Sequence, residues 1–131
     1  MKAVDTNVLV RFLVQDDEAQ SKIVNALLTE AELSKQPLFV SSLVVLEMIW
    51  VLQSSYQVPR ETILLSIDEL LSMSALVFQE SSVVRDFIAQ AQNNSFDLSD
   101  LLIGQTAAAV ACETTLTFDK KAAKSVFFTK I

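Results

Sequence analysis

The sequence predicts an α/β fold: a parallel sheet of short strands covered by helices on both faces. Two observations carry that expectation. Short apolar runs alternate along the chain with longer stretches whose apolar residues recur at helical spacing, and such alternation is the signature of parallel sheets. The alternation also runs through all 131 residues without a repeat, a low-complexity tract or a linker, at a length that suits one domain. We therefore expect a single domain over residues 1–131.

The elements follow in order. Residues 2–5 read as a short buried strand and residues 6–14 as a helix, apolar except for Arg11. Gln15-Asp16-Asp17-Glu18 is a polar turn whose acids favour the start of the next helix, over 17–34. In that helix Ile23, Val24, Leu27, Leu28 and Ala31 keep helical spacing, and the charges among them read as a solvated face. Pro37 breaks the pattern, and Leu38-Phe39-Val40 is a second strand. Ser41 and Ser42 are favoured N-caps for a helix through 43–52, which ends over 53–56. Pro59 and Glu61 open a helix carrying Ile63, Leu64, Ile67, Leu70 and Leu71. A strand at 75–78, a helix through 83–91 and a polar break at 92–95 come next. The chain closes with a helix from 98 to 112, a strand at 115–117, a short helix at 120–124 and a fifth strand at 126–128.

Composition narrows the chemistry. The chain is 51% hydrophobic and 20% charged with a mean hydropathy of +0.40, which is globular rather than disordered and suggests that a partner covers some surface. A net charge of −6 excludes a nucleic-acid binder that works by an overall basic surface. Phosphates remain accessible to such a chain if metal ions supply positive charge. The single cysteine, Cys112, lies in an apolar run, so we expect a core thiol, no internal disulfide and a reducing compartment. The start lacks the features of a signal peptide, and no apolar run reaches the ~18 residues of a membrane span, so we expect a cytoplasmic protein with no membrane part. There is no histidine, which excludes Ser-His, Cys-His and His-metal mechanisms. The one glycine, Gly104, excludes glycine-rich phosphate cradles. Carboxylates and oxygen-loving metals are the main chemistry left.

Five carboxylates stand where that chemistry would want them. Asp5, in Val4-Asp5-Thr6-Asn7, sits where a strand gives way to a helix, at the edge where open α/β sheets bind ligands. The plainer alternative is a helix N-cap. Glu47 is the only polar side chain between Leu43 and Leu52, so no turn of the helix gives it a polar face. Such a carboxylate meets a metal or a wet cleft, or else pairs with Arg11 or a lysine. Asp100 opens an apolar helix, where the dipole alone would favour an acid. Asp97 lies three residues earlier and is the better candidate for a mere cap. Asp119 repeats the Asp5 arrangement at the end of the fourth strand, with Thr117 pointing the same way to orient a carboxylate or a water. An acidic cluster of this kind repels itself without a divalent ion, and Mg²⁺ or Mn²⁺ would suit it. The matching reaction is phosphodiester hydrolysis, in which a metal lowers the pKa of water and no histidine is needed. Lys120, Lys121 and Lys124 follow Asp119 and are placed to hold phosphates, or else form a solvated basic turn.

These residues resemble the PIN-domain ribonucleases, and within them the VapC-type toxins of toxin–antitoxin pairs. The matching pieces are Val4 to Leu9, Ser42 to Glu47, Phe96 to Ile103 and Thr115 to Lys120, in order along the whole chain. The resemblance implies a three-layer α/β/α fold with a central parallel sheet of about five strands. It implies Mg²⁺- or Mn²⁺-dependent cleavage of single-stranded RNA, often within structured RNAs such as transfer RNA. Its acidic positions fall on Asp5, Glu47, Asp100 and Asp119, with Asp97 auxiliary and Thr6, Asn7 and Thr117 supporting. It further implies a homodimer and a cognate antitoxin laid across the apolar helices at 6–14, 17–34 and 43–56. Two rivals stay open: a catalytically idle domain of the same fold that only binds, and another metal-dependent phosphohydrolase. A dehalogenase-type phosphatase wants a second Asp two residues after the first, where this chain has Asn7, and a receiver domain wants an acidic pair where Ala3-Val4-Asp5 offers one acid.

Overall fold

Side-chain caps start four of the six helices of the computed structural model, which describes residues 1–131. Helices α1 (Thr6–Val14), α2 (Glu18–Leu33) and α3 (Ser42–Ser54) begin after Asp5, Asp17 and Ser41, each of whose side chains accepts a backbone N–H from the first turn. Helix α4 (Arg60–Ser72) follows Pro59, whose missing N–H costs nothing at that point. Helices α5 (Ser81–Ala91) and α6 (Leu98–Ala109) complete the set. No helix is long and apolar enough to cross a membrane.

The contacts divide the chain into two compact units, Met1–Ser81 and Ser82–Ile131. In the first, strand β1 (Leu38–Val40) pairs in parallel with β2 (Leu76–Phe78), Leu38 opposite Leu76 and Val40 opposite Phe78. The N-terminal segment flanks the other edge of β1. There Phe39 N–H donates to Lys2 C=O at 2.9 Å and Val4 N–H donates to Phe39 C=O at 3.0 Å. Residues 2–5 thus contribute a single bridge, Ala3 to Phe39, rather than the expected strand. The capping bond of Asp5 turns the chain into α1 at once and leaves no length for a ladder. Leu9, Val10, Val40, Val45, Met48 and Ile49 are the buried heart of this unit.

In the second unit, β3 (Thr115–Thr117) pairs in parallel with β4 (Phe128–Lys130), Thr115 opposite Phe128 and Thr117 opposite Lys130. A 3₁₀ turn at Ala122–Lys124 connects them. The last strand begins two residues later than expected because Ser125 Oγ accepts the Phe127 N–H at 3.1 Å and holds a turn there. Helix α6 stops at Ala109, short of the expected 112, and the chain leaves it through Ala111 at φ 66°. Cys112 is therefore exposed beyond the helix and is not the expected core thiol. Gly104 lies inside α6 with no room above it: a Cβ there would meet Phe127 Cβ at 2.6 Å. The fold is α/β with parallel strands. Its strands form two parallel pairs and a bridge, a small complement that is compatible with the expected fold.

Candidate active site

Asp5 is delivered past the Ala3–Phe39 bridge and caps α1, its Oδ1 accepting the Val8 N–H at 3.2 Å. Asp5 is thus the helix cap that its sequence position allowed; the cap uses one oxygen, and the side chain is exposed. The next residue, Thr6, is 5% exposed and donates its hydroxyl proton to Glu47 Oε1. That bond ties the start of α1 to the middle of α3.

Glu47 does not lie in the apolar surroundings its neighbours suggest. It is exposed, on a stripe of α3 with Leu43 at 78% and Trp50 at 61% exposure. The stripe follows the i, i+4, i+7 spacing of one helix face. Arg11, the cation considered as its partner, is engaged elsewhere. Its guanidinium donates to Asp16 at 2.8 Å, Tyr56 at 2.9 Å and Gln20 at 2.6 Å, and the Tyr56 hydroxyl donates to Asp16 at 2.9 Å. Glu47 thus has no ion pair, and the alternative of a structural salt bridge falls. Nothing in the local pattern singles out Tyr56, forty positions from Asp16; only the fold brings them together. Asn7 is exposed and lines a groove of about 220 Å³ between α1 and α2 with Val8, Arg11 and Gln20.

The second unit holds the other carboxylates. Asp97 caps α6, its Oδ1 accepting the Asp100 N–H at 3.0 Å, as its place before the helix suggests. Asp100 is half-buried in the first turn. Burial pushes its carboxyl above the ordinary aspartate range, and the charges of Asp97 and Asp119 push it further. Asp119 Oδ1 accepts the Lys121 N–H at 2.8 Å and the Ala122 N–H at 2.9 Å. Thr117 Oγ1 accepts the Asp119 N–H at 3.0 Å, so its oxygen is held by the backbone rather than by a carboxylate. Lys120, Lys121 and Lys124 are exposed.

These donors fit a hard cation in kind: all are oxygens, and the second-unit acids repel one another through Asp100. They do not yet form a cage. No group of three or more acidic or thiol side chains converges to ion-holding distance. Asp5, Asp97 and Asp119 each give one oxygen to a backbone N–H and Glu47 gives one to Thr6, which leaves each a second oxygen.

No curated protein and no solved structure matches the chain. A family profile described as PIN domain matches residues 2–126, across both units and all the carboxylates above. By that match, the chain belongs to the PIN domain family.

Proposed function

We propose that this chain is a metal-dependent endoribonuclease, cutting RNA phosphodiester bonds with transfer RNA among its candidate substrates, and that it serves as the toxin of a toxin–antitoxin pair. PIN domains are typically nucleases that use divalent metals, which supports the hydrolase part of the reading. The observation that carries it is the PIN-domain match over residues 2–126, which spans Asp5, Glu47, Asp100 and Asp119.

Asp5, Glu47, Asp100 and Asp119 are the proposed ligands of Mg²⁺ or Mn²⁺, with Thr6, Asn7, Asp97 and Thr117 in support. A bound ion of this type supplies Lewis acidity, lowering the pKa of water and offsetting charge at the scissile phosphate. The residues supply orientation. Thr6 fixes one oxygen of Glu47 and leaves the other to face outward, and the backbone N–H groups of Lys121 and Ala122 do the same for Asp119. With no histidine in the chain, no imidazole carries the proton from the attacking water.

A protein partner is supported by apolar side chains left in solvent on α2 and α3: Ile23, Leu33, Leu43 and Trp50. We assign these helices to the antitoxin, with a homodimer in the cytoplasm as the working state. The rival, an idle domain that binds without cutting, is favoured by one observation, that no three acids are gathered. Incubating the purified, antitoxin-free chain with total RNA and Mn²⁺ separates the two. We expect cleavage that EDTA stops and that Asp5→Asn and Asp100→Asn abolish. Intact RNA under every condition would establish the idle domain, and cleavage indifferent to both substitutions would betray a contaminant.

A further inference from the structure

Charge is segregated along this acidic chain. Residues 114–131 hold Lys120, Lys121, Lys124 and Lys130 against the single acid Asp119, a net +3, so residues 1–113 carry −9. All four lysines are exposed, and none is paired with a carboxylate, since the ion pairs are Arg11–Asp16 and Lys22–Glu18. An aromatic ring stands among them. Phe118 is 79% exposed, immediately after β3. The residues on either side of it are fixed: Thr117 Oγ1 takes the Asp119 N–H at 3.0 Å, and Asp119 Oδ1 takes the N–H groups of Lys121 and Ala122. The backbone is thus pinned around a ring that faces water, and Lys130 lies opposite Thr117 in the strand register.

An exposed ring and unpaired cations on one short, pinned segment suit single-stranded nucleic acid. Its bases offer faces for stacking, and its phosphates offer charge. A duplex hides those faces in its own stack. A purely apolar protein partner would leave the lysines unused.

We propose that Phe118 and Lys120, Lys121 and Lys124 form the dock for a single-stranded stretch of the RNA substrate, one unstacked base lying on the Phe118 ring and the flanking phosphates on the lysines. The proposal rests on the nuclease reading, whose family resemblance already implies single-stranded RNA, and adds where the strand is held and that the Phe118 ring carries a base.

Anisotropy of a dye-labelled short single-stranded RNA, titrated with the full chain in EDTA, reads binding without cleavage. Phe118→Ala should weaken binding roughly five- to hundredfold, while Phe118→Tyr keeps it. Lys121→Gln and Lys124→Gln should each flatten the slope of log affinity against log salt by ~0.7, the value per phosphate contact on a single strand. Phe118→Ala should leave that slope alone, and a hairpin of the same length should bind more weakly. All four side chains are exposed, so the variants keep the fold, which a thermal melt verifies. Wild-type affinity in Phe118→Ala, or unchanged salt slopes in the lysine variants, overturns the dock. So does a Phe118→Ala chain that sediments as a smaller species but binds RNA normally, since the ring would then belong to a contact between copies. EDTA-sensitive cleavage by the unaltered chain alongside variants that bind normally removes the dock alone. No cleavage by the unaltered chain removes the nuclease reading beneath it.

Discussion

Gly104→Ala is the sharpest test of how the second unit is built. A glycine inside a helix is ordinarily a weakness, and alanine there gains ~0.8–1 kcal/mol of helix propensity. The structure opposes that gain. The new methyl would lie 2.6 Å from Phe127 Cβ, 3.0 Å from Phe128 Cε2 and 3.1 Å from Phe127 Cγ. The nearest atom belongs to the root of a side chain, so it moves only if the backbone around Phe127 moves. Overpacking of a fitted contact costs typically 1–3 kcal/mol, and a contact this close belongs in the upper part of that range. Subtracting the helix gain leaves a net loss of ~1–2 kcal/mol. For a chain of this size that lowers Tm by roughly 3–10 °C. Thermal unfolding followed by far-UV circular dichroism measures it, with urea midpoints as a second reading. An unchanged or higher Tm would mean that helix propensity outweighs the contact and that α6 does not press on Phe127.

Further outcomes follow from the carboxylates. Asp100 holds its proton more tightly folded than unfolded, so metal-free stability should fall as pH rises from about 3.9 through its raised value, and remain lowered above it. Asp100→Asn should therefore raise Tm at neutral pH, with the gain vanishing in acid; a lower Tm at neutral pH would contradict this. Asp97→Ala should cost ~1 kcal/mol through the lost cap of α6, whereas Asp97→Asn keeps the cap and removes a repelling charge; equal urea midpoints for the two variants would deny the cap. Thr6→Val keeps the buried shape but removes the hydroxyl that holds Glu47, and should lower stability by ~0.5–1.5 kcal/mol and slow Mn²⁺-dependent RNA cleavage, with Thr6→Ser restoring both. Unchanged kinetics in Thr6→Val would show that Glu47 needs no anchor.

Local chemistry made much of this structure legible. Asp17, Ser41 and Asp97 announce helix starts because a short acceptor just before an apolar run has one good use, and the structure puts them to it. Composition alone did not predict burial. The run from Leu43 to Leu52 looks apolar on every side, so Glu47 seems trapped, yet Leu43, Glu47 and Trp50 share an exposed stripe. Helix α6 ends at Ala109 rather than at 112, a stop the sequence hides because alanines carry no signal for the left-handed turn at Ala111. The engagement of Arg11 with Asp16 and Tyr56 was invisible for a different reason. It joins the end of α1 to the residue beyond α3, a juxtaposition that only tertiary packing creates.

Trp50 is the only tryptophan of the chain. It stands one turn beyond Glu47 on the exposed stripe of α3, with its indole mostly in water. The molecule therefore carries a fluorophore of its own at the Glu47 face, and its emission needs no label and no deconvolution. A blue shift on adding a protein partner would place that partner over α3. Emission that stays put on adding that partner would place it off the α3 stripe.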